Sequence, residues 1–452
     1  MLGLAVYLLA LAFLTVATIR APHLSLVGVL CMFGLDQIGQ LSSPFLRSHG
    51  ALLNIYILGL VGSAVLLKYR NNKFQLGFKY QACKVRVLSV LLYLLAFLSL
   101  VWAPPNSLSY WSNQWPYIIA SIALPPLLLT KLSDLKEIQR TLVWVGGILL
   151  LYLTIVPHWG ERSLVIPGST EKLQLPLALA QLSGYVLITA IVNFNKNHES
   201  IIWGVIAVVA SLFVAIKTGS RGQLIFALLS VFLVAPIVWR KLSPKRVIQL
   251  VAVSLVLLTA SAYILVTSHA LSDRWQFSEM IGDLGDRFGM AITLLSHWFD
   301  SPIAIIFGLG NSAAFSIPEL GVYPHIVVLE ILGEEGVIGL LLFVTILVFS
   351  FLQAKKLHNL SGVSDSTRRA YAGIFGCFLF TALLSFKQGS LVTSSVLFFF
   401  AVMSEKYFYL VRLKLHEKES SEAKADTPKI LQGEHKLRAE SPAHVEGHDT
   451  PL

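Results

Sequence analysis

MLGLAVYLLALAFLTVATI, residues 1–19, contains no charged side chain and is long enough to cross a bilayer as a helix, which takes about 20 mostly apolar residues. No basic leader precedes it and no small-residue cleavage site closes it, and Arg20 follows it. The expectation is a retained first transmembrane helix rather than a signal peptide. The whole chain has the same character: 452 residues, 55% hydrophobic and 13% charged, where a soluble domain carries roughly 25% charged residues. Further apolar runs fall near 24–42, 51–67, 86–103, 115–130, 141–156, 174–193, 200–217, 222–239, 246–267, 326–352, 371–386 and 390–410. The fold class expected is all-α, a polytopic transmembrane bundle of about 12–14 spans.

The placement of Lys and Arg orients the bundle. Lys68, Arg70, Lys73, Lys79, Lys84 and Arg86 gather in one connector. Lys131, Lys136 and Arg140, then Arg240, Lys241, Lys245 and Arg246, then Lys355, Lys356, Arg368 and Arg369 gather in later ones. All are separated by an even number of spans, so a single topology puts them on the cytoplasmic side. The net charge of +10 then reflects inward-facing loops and requires no nucleic-acid partner. Cys31, Cys83 and Cys377 are too scattered for a disulfide framework or a metal cluster.

This topology leaves 104–114 outside, with Tyr110, Trp111 and Trp115 suited to an interfacial aromatic belt, together with 157–172, the turn at 217–221 and a long loop at about 268–325. Four regions follow: N-terminal helices over 1–199, a central region over 200–355 that includes the long loop, C-terminal helices over 356–411, and a polar tail over 412–452 whose composition predicts disorder.

The outer side carries cations that the inward tendency does not explain. In Lys217-Thr-Gly-Ser-Arg221-Gly222 an Arg stands at the start of a span between glycines. It is placed either to hold a phosphate bidentately or to reach lipid headgroups. Within the long loop, Leu284, Phe288, Ala291, Ile292 and Leu295 follow the spacing of an amphipathic helix lying along the membrane surface. Arg287 lies in its first turns beside Asp286, and Arg274 precedes it; ligand binding and a structural ion pair explain each of these equally well. After Phe307-Gly-Leu-Gly310-Asn, the loop ends in Tyr323-Pro-His325 at the start of the next span. A helix N-terminus disfavours imidazolium, so His325 is either a structural residue or a neutral base. Glu330, Glu334 and Glu335 lie within that span, where carboxyls are costly and face a cavity or a partner. Glu330 is placed to orient His325 or pair with an Arg, and Glu334 and Glu335 to mark a helix break. Gly336 and Gly339 have the spacing of a helix-packing pair.

The order of these elements resembles the O-antigen ligase and polymerase superfamily of bacterial envelope glycosyltransferases. The resemblance rests on Ser220-Arg-Gly222 opening a span, a large outer loop with an Arg-bearing helix, a Gly-Leu-Gly, and then Pro324-His325 followed by Leu-Glu and Gly336-Val-Ile-Gly339. It covers roughly 200–350. Ile326 departs from the small polar residue usual after the His. The resemblance implies a metal-independent, inverting transfer of a glycan from a polyprenyl pyrophosphate carrier to an acceptor hydroxyl, on an acceptor glycan or lipid A core, at the outer face of the bacterial cytoplasmic membrane. It implies His325 as the base and Arg221 and Arg287 on the pyrophosphate, with Arg162 and Lys217 as further candidates and Glu330 in support. No cofactor is implied, and the partners are the lipid-linked glycan and the bilayer. The competing class is a transporter of lipid-linked sugars, which predicts charge along a path through the bilayer centre; Asp36 and the 330–335 acids are the candidates for it.

Overall fold

The computed structural model describes residues 2–70, 84–105, 107–157, 159–160, 164–167, 172–173, 176–193, 198–238 and 277–425. The expected span at 246–267, Arg162 and Arg274 lie outside the described residues. Among those that are described, the chain is all helical, with only two isolated bridges between 159 and 172. It is a polytopic membrane protein.

The helices are α1 (Leu2–Arg20), α2 (Ser25–Ser42), the short α3 (Pro44–Ser48), α4 (Ala51–Arg70), α5 (Lys84–Leu98), α6 (Ser107–Leu128), α7 (Leu132–Ile155), α8 (Pro176–Val192), α9 (His198–Lys217), α10 (Arg221–Val238), α11 (Phe277–Phe299), the short α12 (Pro302–Phe307), α13 (Val327–Asn359), α14 (Asp365–Ser385) and α15 (Ser395–Ala425). Seven are long and apolar enough to cross a membrane: α1, α2, α4, α5, α7, α10 and α13. Shorter apolar helices occupy Leu177–Val192 and Ile201–Lys217. At the centre, α10 packs on α14 and α8, and α9 packs on α7 and α8. Buried Phe378, Phe380, Phe398 and Phe400 fill that centre, while Leu9, Leu58 and Ile202 on outlying faces stay exposed for lipid.

Two expectations are refined. Of the aromatic residues near 110, Trp111 is buried against the bundle, whereas Tyr110 and Trp115 are exposed. The final helix does not stop at 411 but continues to Ala425. Glu, Lys and Ala are good helix formers and need no buried face to extend a helix already started. The rest of the expected tail lies outside the described residues.

The end of the bundle that gathers the expected cytoplasmic connectors is heavily cross-linked. His23 Nε2 lies 2.8 Å from Glu137 Oε2, and its Nδ1 lies 3.7 Å from Asp134. Asp134 also accepts from the backbone N–H groups of Thr130 and Lys131 and lies 4.0 Å from Lys68 Nζ. Glu405 accepts from the N–H groups of Val85 and Arg86 and from Gln353, capping the start of α5. Arg368 donates to the carbonyls of Leu357 and His358 at the end of α13. The contacts of His23 tie the 20–23 link to the 131–140 connector.

At the other end, α13 is broken. Gly336 has φ 67° and ψ −169°, a conformation that costs an L side chain heavily, and a Cβ there would lie 2.2 Å from the Ile306 carbonyl oxygen. The freed carbonyls of Gly333 and Glu334 accept from Leu309 N–H and Gly310 N–H, each at 2.9 Å. The Glu334 carboxylate accepts from Ser312 N–H at 2.7 Å and Ala314 N–H at 3.1 Å, and Glu335 accepts from Asn311 Nδ2 at 2.9 Å. The Gly-Leu-Gly segment is thus stitched into the break, and Gly336 both forms the kink and lets the 306–308 backbone pack closely against α13. The helix break expected at Glu334 and Glu335 is present, at the adjoining Gly336.

Candidate functional site

Arg221, Arg287 and His325 converge on one cavity of about 560 Å³ at the end of the bundle opposite the cross-linked connectors. They come from α10, α11 and the residues just before α13. The turn before α10 is closed by Gly219 N–H donating to Ile216 carbonyl at 2.9 Å. It sets Arg221 at the first position of its helix, where it is buried.

Arg287 reaches the cavity because of its register. Ala291, Leu294 and Trp298 are the buried residues of α11, and 287 lies one turn before them on the same face. Leu294 packs where Gly333 of α13 has no side chain and forms a small core with Ala314 and Ile317. Of the expected amphipathic stripe, Ala291 is buried, whereas Phe288 and Ile292 are exposed, as a helix along the membrane surface allows. The helix therefore has one apolar face against α13 and a second turned outward.

His325 has a left-handed backbone, φ 61°, which is uncommon for a residue with a Cβ. Its ring meets Tyr323 edge-on at 4.4 Å, Tyr323 lies 6.0 Å from Phe315, and Phe315 stacks on Tyr110 at 3.9 Å. This file of rings reaches from α6 to the imidazole and holds it in place. Burial, and after it the Arg287 cation, keep the imidazole below the usual histidine value of 6.5, so the ring is a neutral proton acceptor near pH 7. Burial and the nearby Glu330 raise the Tyr323 phenol, against the opposing pull of Arg287.

Sequence reasoning missed the cavity floor, the segment 386–394 between α14 and α15. Lys387 crosses Gly222 so closely that a Cβ there would lie 2.7 Å from its Nζ. This is the close approach that the glycine permits. Arg287 Nη1 donates to the Lys387 carbonyl, Gln223 Nε2 donates to Gln388 Oε1 at 2.8 Å, and Tyr93 donates to the Leu391 carbonyl at 3.2 Å. Glu330 Oε1 accepts from Leu391 N–H at 3.0 Å; its structural role is to hold this floor. The signal for Lys387 was present: it is an outer-side cation by the same topology that singled out Arg221.

Lys217 is not among the residues lining the cavity; its ammonium lies 5.8 Å from the Phe213 ring centre. Arg162 is outside the described residues. Among the described lining residues there are two arginines and a lysine but no Asp or Glu. Such a site suits a multiply charged anion, with a neutral imidazole positioned to take a proton beside it. Among the described residues, no three His, Cys, Asp or Glu side chains converge as a metal-ligating group.

The chain matches no protein-family model, and no curated protein is significantly similar to it in sequence.

Proposed function

We propose that this protein is a membrane glycosyltransferase that moves a glycan from a polyprenyl pyrophosphate carrier to an acceptor hydroxyl, as an O-antigen ligase or a polysaccharide polymerase does. The observation that carries the proposal is the convergence of Arg221, Arg287, Lys387 and His325 on one cavity with no carboxylate among its described lining residues. His325 takes the proton from the acceptor hydroxyl, and the acceptor oxygen bonds to the anomeric carbon from the face opposite the leaving group. The bond from that carbon to the phosphate oxygen breaks, and its electron pair leaves on the polyprenyl pyrophosphate. The anomeric centre is inverted. The cations stabilise the charge that grows on the leaving group, in a frame that strengthens their effect by excluding water. The positive-inside pattern supports a cytoplasmic-membrane location with the cavity on the outer face.

The transporter reading predicts acids free to line a path through the bundle. Glu334 and Glu335 are instead engaged by the loop stitched into α13 and Glu330 holds the cavity floor, which leaves Asp36, in the wall of a neighbouring cavity, as the one candidate acid for such a path among the described residues. This favours chemistry over translocation.

The test is to replace Arg221, Arg287, Lys387 and His325 singly in a strain lacking the native gene and to follow envelope polysaccharide on gels. In parallel, the purified protein is incubated with a lipid-linked donor and an acceptor. The expected result is loss of polymer or of capped glycan in the variants, and release of one polyprenyl pyrophosphate per glycan transferred by the wild type. Normal glycan in all four variants, or translocation without pyrophosphate release, would overturn the assignment. In a null strain, accumulated carrier-linked polymer indicates a ligase and single repeat units indicate a polymerase.

A further inference from the structure

A second cavity of about 430 Å³ adjoins the first, and Phe33, Gln181, Thr393 and Val396 line both. Its chemistry is different. Where the first is cationic, the second has no Lys or Arg among its described lining residues and is walled by Asp36, Gln40, Asn54, Gln114, Tyr117 and Ser121.

Helical register explains the wall. Phe33, Asp36 and Gln40 lie on one face of α2, and Gln114, Tyr117, Ser121 and Leu124 recur on one face of α6. Polar stripes on membrane helices usually serve to hydrogen-bond one helix to another. These do not: Asp36 accepts from Gln40 at 2.8 Å within its own helix, and Ser121 donates to the Tyr117 carbonyl. The side chains of Asn54, Gln114 and Tyr117 bond to nothing else among the described residues. The hydrogen-bonding capacity of two amides and a phenol is therefore left facing an open-mouthed cavity between apolar helices. Asp36 disfavours a phosphate there, while the amides both accept and donate and a carboxylate accepts, a set that hydroxyl groups match. The rings of Phe33, Tyr117 and Phe399 offer flat apolar faces beside them.

We infer that the second cavity is a glycan subsite, which takes an uncharged, hydroxyl-rich chain while a pyrophosphate joined to it occupies the first. The inference rests on the donor reading given above and extends it to the part of the substrate that the cations do not hold. Its ligand is the sugar portion, held by Asn54, Gln114 and Tyr117 from the side opposite Arg221.

The test uses the full-length protein in lipid nanodiscs with two probes, farnesyl pyrophosphate and the same lipid carrying one N-acetylglucosamine. The wild type is expected to bind the sugar-bearing probe more tightly. N54L and Q114L, which place apolar side chains where a membrane frame tolerates them, are each expected to weaken that probe about fivefold and to leave farnesyl pyrophosphate within about twofold. An equal loss for both probes, no loss for either, or no sugar advantage in the wild type overturns the subsite. Arg221→Ala and Arg287→Ala separate the two ideas. They are expected to weaken both probes alike, and unchanged farnesyl pyrophosphate binding in those variants removes the donor reading while the sugar-dependent difference still decides the subsite.

Discussion

The two ends of the bundle use the same kinds of side chain in opposite ways. At the connector end, His23 meets Glu137 and Asp134, Asp134 meets two backbone amides, and Glu405 caps α5. These charges hold helices together. At the cavity end, Arg221, Arg287, Lys387 and a neutral His325 surround a space from which lining carboxylates are missing among the described residues. Concentrating like charge around a cavity in a low-dielectric frame costs stability, and under the proposed function an anionic ligand offsets that cost. The contrast teaches that the nature of a charged residue says less about its role than whether it ties helices together or lines a cavity.

That contrast can be broken at four points. The largest effect is expected for His325→Asn, because Asn tolerates the left-handed backbone but cannot serve as a base. Transfer should fall by about 10²–10⁴-fold with little change in the thermal midpoint; a variant that unfolds instead makes His325 structural. Next is Glu334→Leu, which strips the acceptor from the Ser312 and Ala314 amides. It should cost about 2–6 kcal/mol of stability in detergent unfolding and show that the cavity end also contains purely structural acids.

A subtler effect is expected for Arg287→Gln. His325 titrates below 6.5 because of burial and Arg287, so the acid limb of the wild-type rate profile lies below that pH. Removing the cation raises the imidazole pKa, and the limb of the residual activity moves to higher pH. A limb that stays in place would show that burial alone sets the value. The smallest change is Glu137→Gln at the connector end. The Glu137 side chain is 53% exposed, so its bond to His23 should contribute less than about 1 kcal/mol, with transfer unaffected. A strong loss of transfer there would erase the distinction between the two ends.

Much of this arrangement was legible beforehand, and unevenly so. The helical membrane bundle follows from uncharged runs such as Met1–Ile19, because only a helix or a closed barrel satisfies the backbone in lipid. Arg221, Arg287 and His325 were found because topology gathers outer-side cations onto one face. Lys387 meets the same criterion and was passed over, since the three residues 387–389 between two expected spans look like a simple turn. The break beside Glu334 and Glu335 was legible in those acids, but its partner, the Gly308–Gly310 segment some 26 residues earlier, was not, because no local period connects the two. The second cavity was invisible because α2, α4, α6, α8 and the start of α15 each contribute only a few residues, too sparse to stand out as a pattern in any one of them.

The stitching of the 309–314 segment into α13 has a consequence for how the molecule opens. Backbone amides of Leu309, Gly310, Ser312 and Ala314 are bonded to carbonyl and carboxyl groups of a broken membrane helix, so their exchange with solvent deuterium requires that helix to come apart. The stretch should exchange as slowly as the core and not on the timescale of an exposed loop. Inserted residues are then tolerated beyond it, around 318–322 where Gly321 faces open space, while the same insertion at 309–312 unseats the helix that carries His325 into the cavity.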